Sequence, residues 1–62
     1  MIVQFKDSVT GTAVYINPEY VVTVRPDPAE TEKVSMIKIR DGETIRVLGD
    51  HPTVADKLVK AS

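Results

Sequence analysis

Apolar and polar residues alternate along most of this chain, most regularly from Val34 to Leu48. Val-Ser-Met-Ile-Lys-Ile-Arg precedes Asp41-Gly42, and Glu-Thr-Ile-Arg-Val-Leu follows it. Two alternating runs about an Asp-Gly pair predict a β-hairpin. A two-residue loop at Asp41-Gly42 would set Ile37 opposite Arg46 and split the aliphatic residues between two faces. A three-residue loop of Arg40, Asp41 and Gly42 sets Ile39 opposite Glu43, Ile37 opposite Ile45 and Ser35 opposite Val47. Ile37, Ile39, Ile45 and Val47 then share one face. A slip of one residue turns every side chain over, so burial selects the second register. Gly42 supplies the positive φ that closes such a loop. The opposite face carries Met36, Lys38, Arg40, Thr44, Arg46 and Leu48 and is basic.

The same reading places strands at residues 2–6, 12–16 and 20–25 before the hairpin strands at 34–40 and 43–48. Val3 and Phe5 face inward in the first, and Val14 and Ile16 in the second, which pairs with it across the turn at Asp7 to Gly11. Tyr15 faces outward. Asn17-Pro18-Glu19 ends the second strand, because Asn bonds its own downstream backbone and Pro offers the ladder no donor. In the third strand Tyr20, Val22 and Val24 point one way, and Val21, Thr23 and Arg25 the other. Residues 26–33 hold two prolines, three acids and no large apolar side chain, and read as a solvated loop. Gly49 to Pro52 breaks the sheet. Residues 53–61 form a short helix, capped by Thr53 or by the competing Asp50. Val54, Leu58 and Ala61 make its apolar stripe, Val59 widens it, and Asp56 and Lys60 pair at i, i+4. So short a helix must dock on the sheet.

Sixty-two residues make one small domain, 1–62, with a core of limited size. Such domains lean on disulfides, a metal or oligomerisation. The chain has no cysteine and one histidine, so oligomerisation is the remaining route. The net charge of −1 gives no overall attraction to nucleic acid or anionic membrane. No apolar run approaches the ~20 residues of a membrane span, and the early Lys6 argues against a signal peptide. The expectation is a cytoplasmic protein that does not act at a membrane.

No motif supplies catalytic chemistry, a metal site or a phosphate loop. His51 has no partner nucleophile by motif, and Asp41 reads as a turn residue. The remaining pattern is the outward basic face of Lys38, Arg40 and Arg46, joined by Arg25 if the third strand lies beside the hairpin. With the outward Tyr15 it could hold single-stranded RNA or DNA by phosphate contact and stacking. The plainer alternative is a solvated face whose charges keep sheets apart.

The run from Val14 to Val24, Val-Tyr-Ile-Asn-Pro-Glu-Tyr-Val-Val-Thr-Val, resembles the Ile-Asn-x-Glu core of the small flagellar FlbD/SwrD-type proteins. The Asp-Gly hairpin from Met36 to Val47 and the tail from Val54 to Lys60 are similar to that family's hairpin and closing helix. The loop at 26–33 is longer than the family's, and Gly49 to Pro52 is inserted. The resemblance implies an accessory protein that acts through protein contacts and has no enzymatic activity.

The sequence therefore predicts a mainly β fold. It would be a small five-stranded antiparallel, strongly bent sheet or a partly open SH3- or Sm-like barrel, with a short C-terminal helix. The predicted function is that of a non-enzymatic interaction module without cofactor, associating with itself or another protein. Single-stranded nucleic-acid binding on Arg25, Lys38, Arg40, Arg46 and Tyr15 is the alternative.

Overall fold

The computed structural model describes residues 1–61 and is mainly β. Ser62, the last residue of the expected domain, lies outside the described residues. Strands β1 (Val3–Lys6) and β2 (Ala13–Ile16) form one antiparallel sheet. Strands β3 (Val21–Pro26), β4 (Val34–Ile39) and β5 (Thr44–Leu48) form a second, with β4 in the middle. A single antiparallel bridge, Asp7 with Val47, joins the two, and the Ser8 N–H donates to the Arg46 carbonyl at 2.9 Å beside it. A 3₁₀ turn, Pro18–Tyr20, links β2 to β3. Its capping residue Asn17 accepts the Glu19 N–H at 3.0 Å, as the Asn-Pro pair predicts.

The central hairpin adopts the register that burial selects. Ile37 pairs with Ile45 and Ser35 with Val47. The loop closes with Gly42 at φ 97° and its N–H on the Ile39 carbonyl at 2.9 Å. Ile37 and Val47 are fully buried, and Ile39 and Ile45 pack against the same core beside Val3, Phe5 and Ile16.

Strand β3 departs from simple alternation. Val21 pairs with Ile39 but Thr23 pairs with Lys38, so Val22 is an extra residue in a β-bulge. The bulge shifts the phase, and Val21 and Val24, three positions apart, both pack against the core. Tyr20 and Val22 are left exposed. The expected grouping of Tyr20 with Val22 and Val24 holds only without the bulge.

Helix α1 (His51–Ala61) begins two residues before the expected start at Thr53. The Asp50 carbonyl accepts the Val54 N–H at 3.0 Å, which puts Asp50 at the capping position. Pro52 fits the first turn because the N–H it lacks has no partner in a helix there. Val54 and Leu58 are buried, each worth about 1.5–3 kcal/mol, and this docking holds a helix that could not stand alone. Val59 does not widen the stripe: it follows Leu58 by about 100° around the helix and is exposed.

The turn from β5 into α1 rests on Gly49. Its N–H donates to the Lys33 carbonyl at 2.7 Å, and its carbonyl accepts the buried Ser35 hydroxyl at 2.6 Å. Its φ of 127° suits glycine alone, and a Cβ would stand 3.2 Å from the Val54 side chain. Gly49→Ala is therefore expected to cost about 2–3 kcal/mol of stability. Gly11→Ala, at a positive φ with open space around it, should cost about 1–2 kcal/mol. Urea unfolding of both variants checks the order; equal losses would show that Gly49 is not the strained junction.

Candidate interaction surface

Two rows of side chains cross the outer face of the three-stranded sheet. The register sets Arg25, Met36 and Arg46 in one row and Thr23, Lys38 and Thr44 in the next. With Val22 at the bulge, Thr23, Arg25, Met36, Lys38 and Thr44 line a shallow depression. Arg25 thus lies beside the hairpin, on the face that alternation assigns to Lys38 and Arg46.

These cations differ in what surrounds them. An oxygen of the Asp27 carboxylate lies 2.7 Å from the Arg46 guanidinium, with the Asp27 side chain only 4% exposed. The other carboxylate oxygen accepts the Ala29 N–H at 2.8 Å and the Glu30 N–H at 3.2 Å. The loop at 26–33, expected to be solvated throughout, is anchored at this residue. Its acids and prolines hide an Asx turn, and the signal for it is Asp27 placed just before Pro28. Arg25 and Lys38 are in no ion pair among the described residues. No carboxylate belongs to either row.

The other two predicted residues lie elsewhere. Arg40 lies one residue beyond β4, its guanidinium 5.5 Å from the centre of the Tyr20 ring and its backbone N–H donating to the Tyr20 carbonyl at 2.7 Å. Tyr15 is exposed on β2, paired with Gln4 in the other sheet. Of the five predicted residues, Arg25, Lys38 and Arg46 come together, and Arg46 is occupied. Sequence reasoning missed Val22 as part of this surface, because nothing in an unbroken Val-Val-Thr-Val run marks the bulge.

Beside the edge of β3, on the core side, lies an apolar groove. Pro18, Val21, Val24, Ala55, Leu58 and Val59 line it. His51 is exposed in the first turn of α1. Among the described residues, no group of three or more His, Cys, Asp or Glu could hold a metal ion, and no helix is long and apolar enough to cross a membrane. Comparison with protein-family models, curated proteins and solved structures returns no match for this chain.

Two aspartates have carboxyls below their ordinary value of 3.8. For Asp27 the Ala29 N–H is the largest cause; the Glu30 N–H and Arg46 add to it, against burial, which raises it. For Asp7 the N–H groups of Thr10 and Val9 dominate, with Arg46 contributing at longer range. A carboxyl lowered by folding stabilises the folded state above its unfolded pKa, and that contribution is lost as pH falls through the lower folded value. Stability should therefore drop as pH falls below about 3.8. Asp27→Asn should lower the urea midpoint clearly at pH ~7 and by less at pH ~2, because protonation of the parent carboxyl on acidification removes the same contribution. An equal loss at both would dissociate Asp27 from the acid sensitivity.

Proposed function

We propose that this protein is a non-enzymatic, cytoplasmic protein-interaction module that associates with itself through the edge of β3. In this reading the order β2-β1-β5-β4-β3 is a partly open, SH3- or Sm-like barrel whose seam lies between β2 and β3. The observation that carries the proposal is the state of β3. It is the outer strand of its sheet, the bulge leaves Val22 59% exposed, and the apolar groove runs alongside. An uncovered edge beside apolar surface is a template for pairing with another chain. An accessory role of the kind implied by the FlbD/SwrD resemblance accords with this reading. The run carrying that resemblance is the one that builds β2, the 3₁₀ turn and β3. Single-stranded nucleic-acid binding retains Arg25 and Lys38 in its favour, but neither tyrosine lines their depression, and stacking rings are what such sites use.

A second copy would pair antiparallel about a two-fold axis normal to the sheet. That operation keeps the outer faces on one side and gathers Arg25 and Lys38 from both copies. Self-association is therefore opposed by like charge and strengthened by salt. Sedimentation equilibrium should show a dimer that tightens several-fold between ~20 and ~500 mM NaCl. Val22→Lys, which puts a cation on the edge itself, should leave a monomer. A monomer at every salt and protein concentration would remove the self-association.

A further inference from the structure

We propose that the edge of β3 takes an extended acidic peptide from a partner, one whose acidic side chains alternate with aliphatic ones. This rests on the reading of β3 as an interaction edge and names the chemistry that fits it.

The backbone fixes which groups are open. The Asp27 N–H donates to the Val34 carbonyl at 3.0 Å, so Asp27 and Arg25 turn their backbone groups toward β4. Val24 and Pro26, between and before them, face the open side. Val24 offers both N–H and C=O. Pro26 offers only its carbonyl, and this ends the usable edge. A strand added there is held at Val24, with its own side chains alternating between the two sides of the sheet.

Those two sides differ in chemistry. On the outer side an added residue meets Arg25, with Lys38 behind it on the next strand, and no carboxylate in either row. On the core side it meets the apolar groove of Val21, Val24 and Val59. The complement is a strand with acids outward and aliphatic residues inward. A second copy does not supply one: Val-Gln-Phe-Lys, Ala-Val-Tyr-Ile, Val-Val-Thr-Val-Arg-Pro and Thr-Ile-Arg-Val-Leu contain no acid. Self-pairing leaves the cations facing one another, whereas an acidic strand neutralises them.

The test uses the full chain and a fluorescein-labelled heptapeptide of alternating valine and glutamate. Fluorescence anisotropy should report saturable binding at ~25 mM NaCl that weakens about tenfold by ~250 mM. Arg25→Gln with Lys38→Gln should weaken it by a similar factor while the circular dichroism spectrum and urea midpoint stay unchanged. A peptide N-methylated at alternate amides, and one with lysine for glutamate, should not bind. Light scattering on the same samples should show the valine–glutamate peptide converting any dimer to a monomer–peptide complex. Equal binding of the N-methylated peptide would overturn use of the edge. Tighter binding of an oligo-thymidine that displaces the peptide would overturn the acidic peptide in favour of a phosphate chain. No saturable binding at low salt ends the proposal even if the chain dimerises; saturable peptide binding by a chain that is always monomeric upholds it and removes only self-association.

Discussion

The register of the β4–β5 hairpin is the constraint on which the rest of the structure depends. β4 is the middle strand, so its phase is imposed on both neighbours. Ile37 pairs with Val24 on one side and with Ile45 on the other. The loop at residues 40–42, closed by Gly42, fixes that phase at one end, and the Ser35–Gly49 hydrogen bond fixes it at the other. Moving the pairing by one residue would carry Lys38 and Arg46 into the core and expel Ile37 and Val47. At about 1.5–3 kcal/mol for each buried aliphatic side chain, that exchange approaches the whole net stability of a small domain, about 5 kcal/mol at the low end. The bulge at Val22 is how β3 adapts: it lets Val21 and Val24 both serve a core whose phase β4 has already set.

Arg46 shows how the fold sorts identical charges into different roles. Two aspartates, Asp7 and Asp27, each accept two backbone N–H groups, from the residues two and three positions on. Both turns sit around Arg46, one by direct contact and one through longer-range attraction. The Arg46 side chain is 45% exposed, so the pair itself contributes modestly to stability. Its larger effect is on the surface. It ties the loop at 26–33 to β5 and withdraws one cation from the basic face, leaving Arg25 and Lys38 as the charges still open to a partner.

Most of the fold was legible because it follows from periodicity. The inward set of Ile37, Ile39, Ile45 and Val47, the Asn17 turn and the Val54–Leu58–Ala61 stripe each express one local rule, read in one segment at a time. What escaped was set by contacts between segments. Nothing in Val-Val-Thr-Val marks where an extra residue will be tolerated; that depends on Ile39 and Lys38 across the strand. The acidic, proline-rich composition of the loop is what a solvated segment would also have, and the partner of the buried Asp27 carboxylate, Arg46, lies nineteen residues later. The candidate site was legible to the same degree. Arg25, Lys38 and Arg46 share a face by alternation, whereas the placement of Tyr15 on the other sheet and Arg40 over Tyr20 depends on how the segments assemble.

The sides of β1 and β3 turned away from their sheet partners are treated differently, and the contrast bears on function. β1 turns Gln4 away from β2, toward the side where β5 has ended, and the Lys57 ammonium from α1 donates to the Gln4 carbonyl at 2.7 Å while lying 4.9 Å from the centre of the Phe5 ring. That carbonyl is taken by the helix, with a cation held over an aromatic face. β3 carries two features that elsewhere discourage pairing, a bulge and a proline. Here the bulge raises Val22 into solvent and the proline lies at the far end, so Val24 between them turns its donor and acceptor away from β4. Along β3 the helix borders an apolar groove on the core side, while the outer side carries Arg25 and Lys38, which are in no ion pair among the described residues. Such asymmetry gives an incoming strand a defined orientation: only an arrangement with carboxylates outward satisfies both sides at once, and reversing its faces would set carboxylates over Val21 and Val24 and aliphatic side chains against Arg25.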